Sequence, residues 1–198
     1  KDAHPDWSPM MIKSALMTSS TDTAATPFAE GSCHVVPNSA IDPGLVYDSG
    51  FLDWLGFLCG TGQLVAGYCP AIGIDPSELN TPNIAIGELA GEQTVTRTVT
   101  NVGPAGMYTV SVDAPEGIDV VVSPDALALE EGESASYTVT ITNVSAPAGD
   151  WRHGSLTWSE KTGHYDVFSP ISVKAALFGA RLGCTSAFIL SIVVRYCL

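Results

Sequence analysis

Four histidines are the residues of this sequence best suited to acid–base or metal chemistry: His4, His34, His153 and His164. Hydrolysis by a serine nucleophile needs a serine oxygen, a histidine base and an aspartate that orients the base. The spacings of the serines and histidines here match no nucleophile elbow. Zinc sites commonly place a second ligand a few residues after the first. No histidine here has a second potential zinc ligand three or four residues after it. We therefore expect structural roles for His4 and His34, and surface positions for His153 and His164.

Two other polar motifs could bind an ion or a sugar. Asp125, Glu130, Glu131 and Glu133 lie close together and could attract calcium, but the helix-loop-helix calcium pattern is missing. We favour a solvated turn there. Asn143 opens an Asn-Val-Ser sequon, which is a possible glycosylation site if the protein is eukaryotic and secreted. No metal site and no cofactor are expected.

Two of the five cysteines are spaced for a disulfide. Cys59 and Cys69 lie ten positions apart in a glycine-rich stretch, and a loop of that length closes at modest entropic cost. We expect a Cys59–Cys69 disulfide if the compartment is oxidising. A zinc site is disfavoured because no second Cys or His pair lies at ligand spacing.

Composition narrows the class of protein. The chain has 198 residues, 45% of them hydrophobic and only 15% charged, which is enough for one large or two small domains. Its formal net charge is −13. Nucleic-acid binding requires clustered Lys and Arg, so that function is excluded. The acidity is typical of a soluble, mutually repelling surface.

The first 78 residues carry two helix signals. Ser8 is a suitable N-cap and Pro9 a suitable first helical residue, and the apolar residues behind them predict a helix over 9–18 with one narrow apolar face at Ile12, Ala15 and Leu16. Further along, leucines recur every three residues, and Trp54 and Phe57 lie among them. For this second helix we expect core packing of the leucines, at positions 52, 55 and 58.

From residue 79 onward the pattern changes to period two. Runs of alternating apolar and hydroxyl residues are separated by Gly, Pro and acidic turn clusters, which is typical of a β-sandwich. The predicted strands span 94–101, 108–112, 118–123, 134–142, 154–158 and 165–173, with a further short one at 127–129. We expect residues 79–174, produced alone, to give a β-rich, cooperatively folded domain.

Several motifs resemble a known family. They are His4-Pro-Asp-Trp-Ser-Pro, the long segment 27–48 that ends in Pro-Gly-Leu-Val-Tyr-Asp, the stretch 96–103, and Gly154-Ser-Leu-Thr-Trp-Ser. Together they resemble the plant-type subtilisin-like serine proteases (subtilases), whose last domain is fibronectin type III-like. The resemblance covers residues 4–174, with Cys33 standing where the family has glycine. It implies that Val46 and Tyr47 anchor their segment on the protease domain.

This resemblance implies a mainly β chain in four parts. Residues 1–48 would be a remnant of the α/β catalytic domain, 49–78 a connector with one short helix, 79–174 the fibronectin type III-like β-sandwich, and 175–198 an atypical apolar tail. The uncharged run of the tail, 182–194, is shorter than the roughly 20 residues of a membrane-spanning helix. The tail could be an interfacial anchor, an additional buried strand or helix, or the product of a reading-frame shift near Ala176 or Phe178.

The resemblance also implies a function for a parent protein. The family's nucleophile lies in Gly-Thr-Ser-Met just before the segment that matches residue 4, and no Gly-Thr-Ser occurs here. We therefore expect a C-terminal portion of a secreted serine endopeptidase, with no catalytic residues of its own and no activity alone. Its partners would be the missing catalytic domain and the parent's peptide substrate, with neither nucleic acid nor membrane. The alternative is a non-enzymatic β-sandwich interaction module, against which the apolar face of the first helix argues.

Overall fold

A computed structural model describes residues 1–21, 25–69 and 73–176. The first part of the chain is helical and irregular. It contains four α-helices, two single-turn 3₁₀ helices and one short strand: α1 (Pro9–Thr18), α2 (Pro27–Glu30), α3 (Pro37–Ile41), β1 (Leu45–Val46), α4 (Phe51–Gly60), and 3₁₀ turns at Ala66–Tyr68 and Pro76–Glu78.

The second part consists of eight strands: β2 (Ile84–Leu89), β3 (Glu92–Asn101), β4 (Gly106–Asp113), β5 (Ile118–Ser123), β6 (Ala126–Leu129), β7 (Ser134–Asn143), β8 (Trp151–Glu160) and β9 (Asp166–Ala175). One sheet has the order β1-β3-β7-β5 and the other β2-β9-β8-β4-β6. All neighbours are antiparallel except β2 and β9, which run parallel. The prediction of a mainly β chain with a sandwich is confirmed.

The period-two sequence produces two different faces on each strand. On β3, Val95 and Val99 are fully buried in the core between the sheets. The threonines that alternate with the inward-facing residues point outward and pair across the strands, with Thr98 Oγ1 lying 2.8 Å from Ser136 Oγ. Such cross-strand hydroxyl pairs fix the register of β3 against β7. The core itself is mostly aliphatic, with five aromatic side chains among its buried residues: Tyr47, Tyr108, Tyr137, Trp158 and Tyr165.

Two strands were missing from the sequence prediction. β1 pairs with the end of β3, with Leu45 opposite Asn101, and both residues of β1 are fully buried. Tyr47, directly after it, is also part of the sandwich core. The expectation that Val46 and Tyr47 anchor their segment on a separate protease domain is therefore not what the structure shows. β2 has only six residues and pairs with the last strand of the chain.

Helix α1 begins as predicted but buries a different face. Ser8 is the N-cap, and its hydroxyl accepts a hydrogen bond from the Met11 amide at 3.0 Å. The buried residues are Ser14, Ala15 and Thr18, whereas Leu16 is 42% exposed. Ser14 is tolerated inside because its hydroxyl accepts a hydrogen bond from the Tyr47 amide at 2.9 Å.

Helix α4 also differs from the prediction of core packing. Phe51 and Leu52 are 79% and 73% exposed, and only Gly56 of this helix is buried. The reason is geometric: a Cβ at Gly56 would lie 3.3 Å from the Ile74 side chain, so α4 approaches its neighbour through its smallest residue. Of the three leucines, Leu52 is exposed, whereas Leu55 and Leu58 are half-buried.

The atypical tail lies outside the described residues from 177 onward, so its three interpretations stay open. Within the described ranges, no helix combines the length and apolarity that a membrane crossing requires.

Candidate functional site

Residues 1–69, which precede the sandwich, are called the first segment below. Two of the histidines, His4 and His34, lie in this segment and are held by contacts within it. The His4 ring stacks on Trp7 with centroids 3.8 Å apart, and its Nε2 lies 2.6 Å from the carbonyl oxygen of Ile41. The backbone of His34 exchanges two hydrogen bonds with Thr21. These contacts connect the loop before α1, α3 and the loop after α2, in keeping with structural roles.

His153 is not the surface residue that we expected. It is half-buried on β8, and its Nδ1 lies 2.9 Å from the hydroxyl oxygen of Ser172 on β9. Phe28 of α2 packs edge-on against its ring. The prediction failed because α2, which is remote in sequence, covers this part of the sheet.

A serine, histidine and aspartate come together at one corner of the molecule, beside Pro43. His164 Nε2 lies 3.6 Å from Asp42 Oδ2. However, the Tyr165 hydroxyl donates to both carboxylate oxygens of Asp42 at 3.0 Å. The nearby hydroxyls of Ser19 and Ser20 donate to backbone carbonyls rather than to a histidine. Among the described residues, no serine hydroxyl is hydrogen-bonded to the His164 imidazole, so this corner does not have the arrangement of a catalytic triad.

The same corner instead fastens the first segment to the sandwich. Burial raises the pKa of Tyr165 and the neighbouring Asp42 carboxylate raises it further, so the phenol stays protonated and donates. Gly44 follows Asp42 closely and has φ +75°, a conformation that favours glycine. A Cβ at Gly44 would lie 2.7 Å from Tyr165 Cγ, so the turn approaches the ring as closely as backbone allows.

Tyr47 makes the second attachment, deep in the core. Its hydroxyl lies 2.7 Å from the Tyr137 hydroxyl and 3.2 Å from Ser169 Oγ. The Tyr137 ring packs edge-on against Trp158, with centroids 5.1 Å apart. Burial raises the pKa of Tyr47 and raises that of Tyr137 well above its ordinary value. Neutral phenols therefore link residues 45–47 to both sheets.

The first segment carries most of the exposed apolar side chains in the described residues. We call this set the helical face; its members are Leu16, Phe28, Val35, Ile41, Phe51, Leu52, Val65 and Tyr68. Among residues 73–176, the large apolar side chains that are exposed are Met107, Val112, Val121 and Val144. These side chains are spread over α1 to α4 and the irregular segments around them. Phe51 and Leu52, which are adjacent at the start of α4, form an exposed apolar patch of the kind that another protein can cover.

The other predicted site residues lie apart from the helical face or at its border. In the acidic turn, Glu133 Oε2 accepts a hydrogen bond from the Glu130 amide at 2.9 Å, which uses the carboxylate locally. Among the described residues, no group of three His, Cys, Asp or Glu is arranged to hold a metal ion. Cys59 at the end of α4 is bonded to Cys69, with their Cα atoms 5.6 Å apart.

Asn143 lies at the end of β7, and its amide is used within a turn. Its Oδ1 accepts a hydrogen bond from the Ala146 amide at 2.9 Å, and its Nδ2 donates to the Ala146 carbonyl at 3.2 Å. Val144, the middle residue of the sequon, is 71% exposed. The sequon is therefore at the surface, although its asparagine side chain is hydrogen-bonded.

Comparison with protein families settles what the sandwich is. The fibronectin type-III domain family matches residues 78–173, the part that contains β2 to β9. Over 194 residues the chain is 40% identical to the subtilisin-like protease SBT2.6 of Arabidopsis thaliana, covering 83% of this chain and 24% of that protein. The chain is a plant-type subtilase relative with a fibronectin type-III domain.

Further subtilases match the same extent of the chain. SBT5.3 of Arabidopsis thaliana is 38% identical, covering 88% of this chain and 26% of that protein. A subtilisin-like protease of Glycine max is also 38% identical, with 88% and 25% covered. This subtilase relative thus spans about a quarter of the length of the curated proteins that it matches. A solved FixG-related protein from Vibrio parahaemolyticus is 14% identical, with a TM-score of 0.37, 43% of this chain covered and 80% of that one.

Sequence reasoning missed both attachments of the first segment. Tyr47 and Tyr137 are 90 positions apart, and Tyr165 and Asp42 are 123 apart. Each tyrosine looks like an ordinary strand or turn residue in sequence. The resemblance did mark Tyr47 as an anchor, although on the protease domain rather than on the sandwich, and Gly44 marks the turn that lies against Tyr165.

Proposed function

We propose that this chain is the supporting C-terminal portion of a subtilisin-like serine endopeptidase. The parent would hydrolyse peptide bonds by acyl transfer through a serine that lies outside this chain. The fibronectin type-III domain and the segment fastened to it would hold and steady the catalytic domain. The observation that carries this proposal is the helical face, which concentrates exposed apolar side chains on the segment that precedes the sandwich.

Covering the helical face would release enough free energy to stabilise contact with a catalytic domain. Covering a single exposed leucine or phenylalanine stabilises an assembly by about 1.5–3 kcal/mol. Phe51 and Leu52 are adjacent and almost fully exposed, so their burial alone would make a substantial contribution. An interaction module could also use such side chains, so support for the proposed role comes from their position on the segment before the sandwich, within the region that matches the subtilases.

The absence of catalysis in the chain alone is tested directly. We expect the 198-residue chain to release no product from a peptide substrate and to take up no serine-reactive fluorophosphonate. The reason is that the Ser19 and Ser20 hydroxyls near His164 donate to backbone carbonyls. Labelling of any serine would contradict this account of the chain.

The supporting role is tested by a fusion. The chain would replace the matching C-terminal region of the Arabidopsis SBT2.6 protease, and the thermal midpoint and peptide-cleavage rate of the fusion would be measured. We expect Leu52→Asp to lower both, because it places a charge in the proposed contact. Val144→Asp is the matched control, since Val144 has nearly the same exposure but lies on the sandwich. Equal effects of the two substitutions would refute the supporting role.

We also propose that the protein is secreted and that Cys59–Cys69 is oxidised there. The two sulfurs are bonded in the structure, at the end of α4 and next to the helical face. An extracellular compartment allows such a bond to persist. Peptide mapping of the secreted protein without reduction should recover residues 59 and 69 in one linked peptide; separate, freely alkylated peptides would contradict it.

Glycosylation at Asn143 is a related proposal. The turn that uses the Asn143 amide forms only when β7 and the following loop fold. Addition of a glycan would therefore precede folding, after which the remaining N–H can still donate. Mass spectrometry of the protein secreted from plant cells, with and without glycosidase, would show the mass difference, and an unmodified Asn143 peptide would contradict the proposal.

A further inference from the structure

A cleft between the first segment and the sandwich carries unusual charge. It lies where α1, α4 and the turn at Pro76–Glu78 meet β2 and β3, and it has a volume of about 280 Å³. We call it the Lys13 cleft. Its walls include Lys13, Trp54, Phe57, Leu79 and Arg97. The space is suited to a small molecule or to one large side chain.

The cleft is cationic on an acidic protein. The chain has a formal net charge of −13 and only eight Lys and Arg residues. Two of these eight, Lys13 and Arg97, line the cleft, and none of its lining residues is acidic. The ion pairs of the described residues are Arg152 with Glu116 and His164 with Asp42, so neither cation of the cleft lies within 4 Å of a carboxylate.

Arg97 brings a positive charge to the inner wall of the cleft. It is 1% exposed, and its Nε donates to the Thr81 carbonyl at 2.9 Å. Its two terminal nitrogens donate to the carbonyls of Thr96 and Asn83. These neutral acceptors orient the guanidinium without neutralising it. Glu78 forms no ion pair with it, and the Glu78 carboxylate accepts a hydrogen bond from the Thr96 amide.

The other wall is aromatic. The Trp54 and Phe57 rings pack edge-on with centroids 5.7 Å apart, and Lys13 Nζ lies 5.8 Å from the centre of the Trp54 ring. Lys13 sits at the exposed side of α1 and forms no ion pair in the described residues. An ammonium group above an aromatic wall can pair with an anion whose apolar part lies against the rings.

We propose that the Lys13 cleft binds a carboxylate that carries an aromatic body. The carboxylate pairs with Lys13 and lies in the positive field of Arg97, while the aromatic body packs on Trp54 and Phe57. The inference does not rest on the proposed function, since it concerns only groups within this chain. Free aryl-alkanoic acids and the C-terminal residue of a peptide ending in phenylalanine share this chemistry.

The test uses the 198-residue chain, labelled with ¹⁵N, and two pairs of probes. The first pair is 3-phenylpropionate and its neutral amide, and the second is acetyl-Gly-Phe and acetyl-Gly-Phe-amide. We expect the Trp54 indole N–H and the Lys13 amide to shift with each acid, and to shift far less with its amide. The acid that binds more tightly identifies the source, a free aryl acid or a peptide terminus. Equal titrations with acid and amide would overturn the proposal.

A matched pair of variants isolates the charge of the cleft. Lys13→Gln should weaken binding of the acid about threefold or more, as expected for an exposed ion pair. Lys174→Gln is the control, because Lys174 lies 5.5 Å from the Trp151 ring in the same kind of contact elsewhere. Lys13 is exposed and Lys174 is half-buried, and neither forms an ion pair in the described residues, so both variants should fold. Equal affinity of the two variants for the acid would also overturn the proposal.

Discussion

Replacement of Tyr47 should reveal how strongly the first segment is built into the sandwich. The Tyr47 side chain is 1% exposed, and its hydroxyl lies between those of Tyr137 and Ser169. Tyr47→Phe keeps the ring but removes the hydroxyl, which leaves a buried partner unsatisfied and should cost about 1–3 kcal/mol. Tyr47→Ala also removes the ring, and large aromatic-to-alanine changes in cores cost about 3–5 kcal/mol.

These magnitudes are large against the stability of one domain, which is typically about 5–15 kcal/mol. They also change the expectation for residues 79–174 produced alone. That fragment lacks Leu45, Val46 and Tyr47, all of which are buried between or beside the sheets. We now expect a fragment that begins at residue 43 to be markedly more stable than one that begins at residue 79.

The assay is urea unfolding of the 198-residue chain, followed by far-ultraviolet circular dichroism. We expect the midpoint to fall in the order of wild type, Tyr47→Phe and Tyr47→Ala, without a change in slope. Tyr68→Phe is the control, since Tyr68 is 76% exposed and should change stability by less than about 0.5 kcal/mol. If Tyr47→Phe unfolds at the same urea concentration as Tyr68→Phe, then the first segment is not part of the cooperative core and the reasoning is wrong.

Three further predictions concern backbone and pH. Cys33 has φ +75°, so Cys33→Gly should be about 1 kcal/mol more stable than Cys33→Ala in the same unfolding assay; equal midpoints would contradict this. Gly44→Ala should lower the thermal midpoint by several degrees because its Cβ would meet the Tyr165 ring, and an unchanged midpoint would show that the turn is free to move. Burial raises the folded-state pKa of Tyr47 and Tyr137, so the folded chain retains protons that the unfolded chain releases near pH 10. The contribution of these two phenols to stability should therefore be fully present below about pH 10 and fall as the pH rises further. A urea midpoint that stays constant or rises above pH 10 would refute this prediction.

The strands were predictable because their signal is local. Alternation of apolar and hydroxyl residues places one set of side chains between two sheets, whatever the partner strands are. The prediction for 118–123 agrees with β5 from end to end, and the others differ mainly at their ends. β8 is longer than predicted because His153 and Trp151 lie in the strand beneath α2. The local sequence pattern of β8 does not show that α2 covers this part of the strand.

The faces of the helices could not be predicted in the same way. A helical period shows which residues share a face, but burial depends on what the rest of the chain offers to that face. Leu52 was expected to pack in a core and is exposed, whereas Ser14, which the pattern did not single out, is buried and accepts a hydrogen bond from the Tyr47 amide. The failure is informative, because an apolar helix face left in water is the expected mark of a surface that another domain covers.

The attachments at Asp42 and Tyr47 bear on how such a surface would act. Asp48 directly follows the buried β1 and Tyr47; its side chain accepts a hydrogen bond from the Ser8 hydroxyl, and its carbonyl accepts one from Asn80. Helix α4 begins three residues later, at Phe51. The beginning of α4, which carries Phe51 and Leu52 of the helical face, is thus tied within a few residues to a core that spans both sheets. A surface fixed in this way loses little conformational freedom when a partner covers it, so more of the gain from apolar burial is available for holding the two domains together. The sandwich would then stabilise a catalytic domain without contacting the reacting groups, because it determines the position of the surface on which that domain rests.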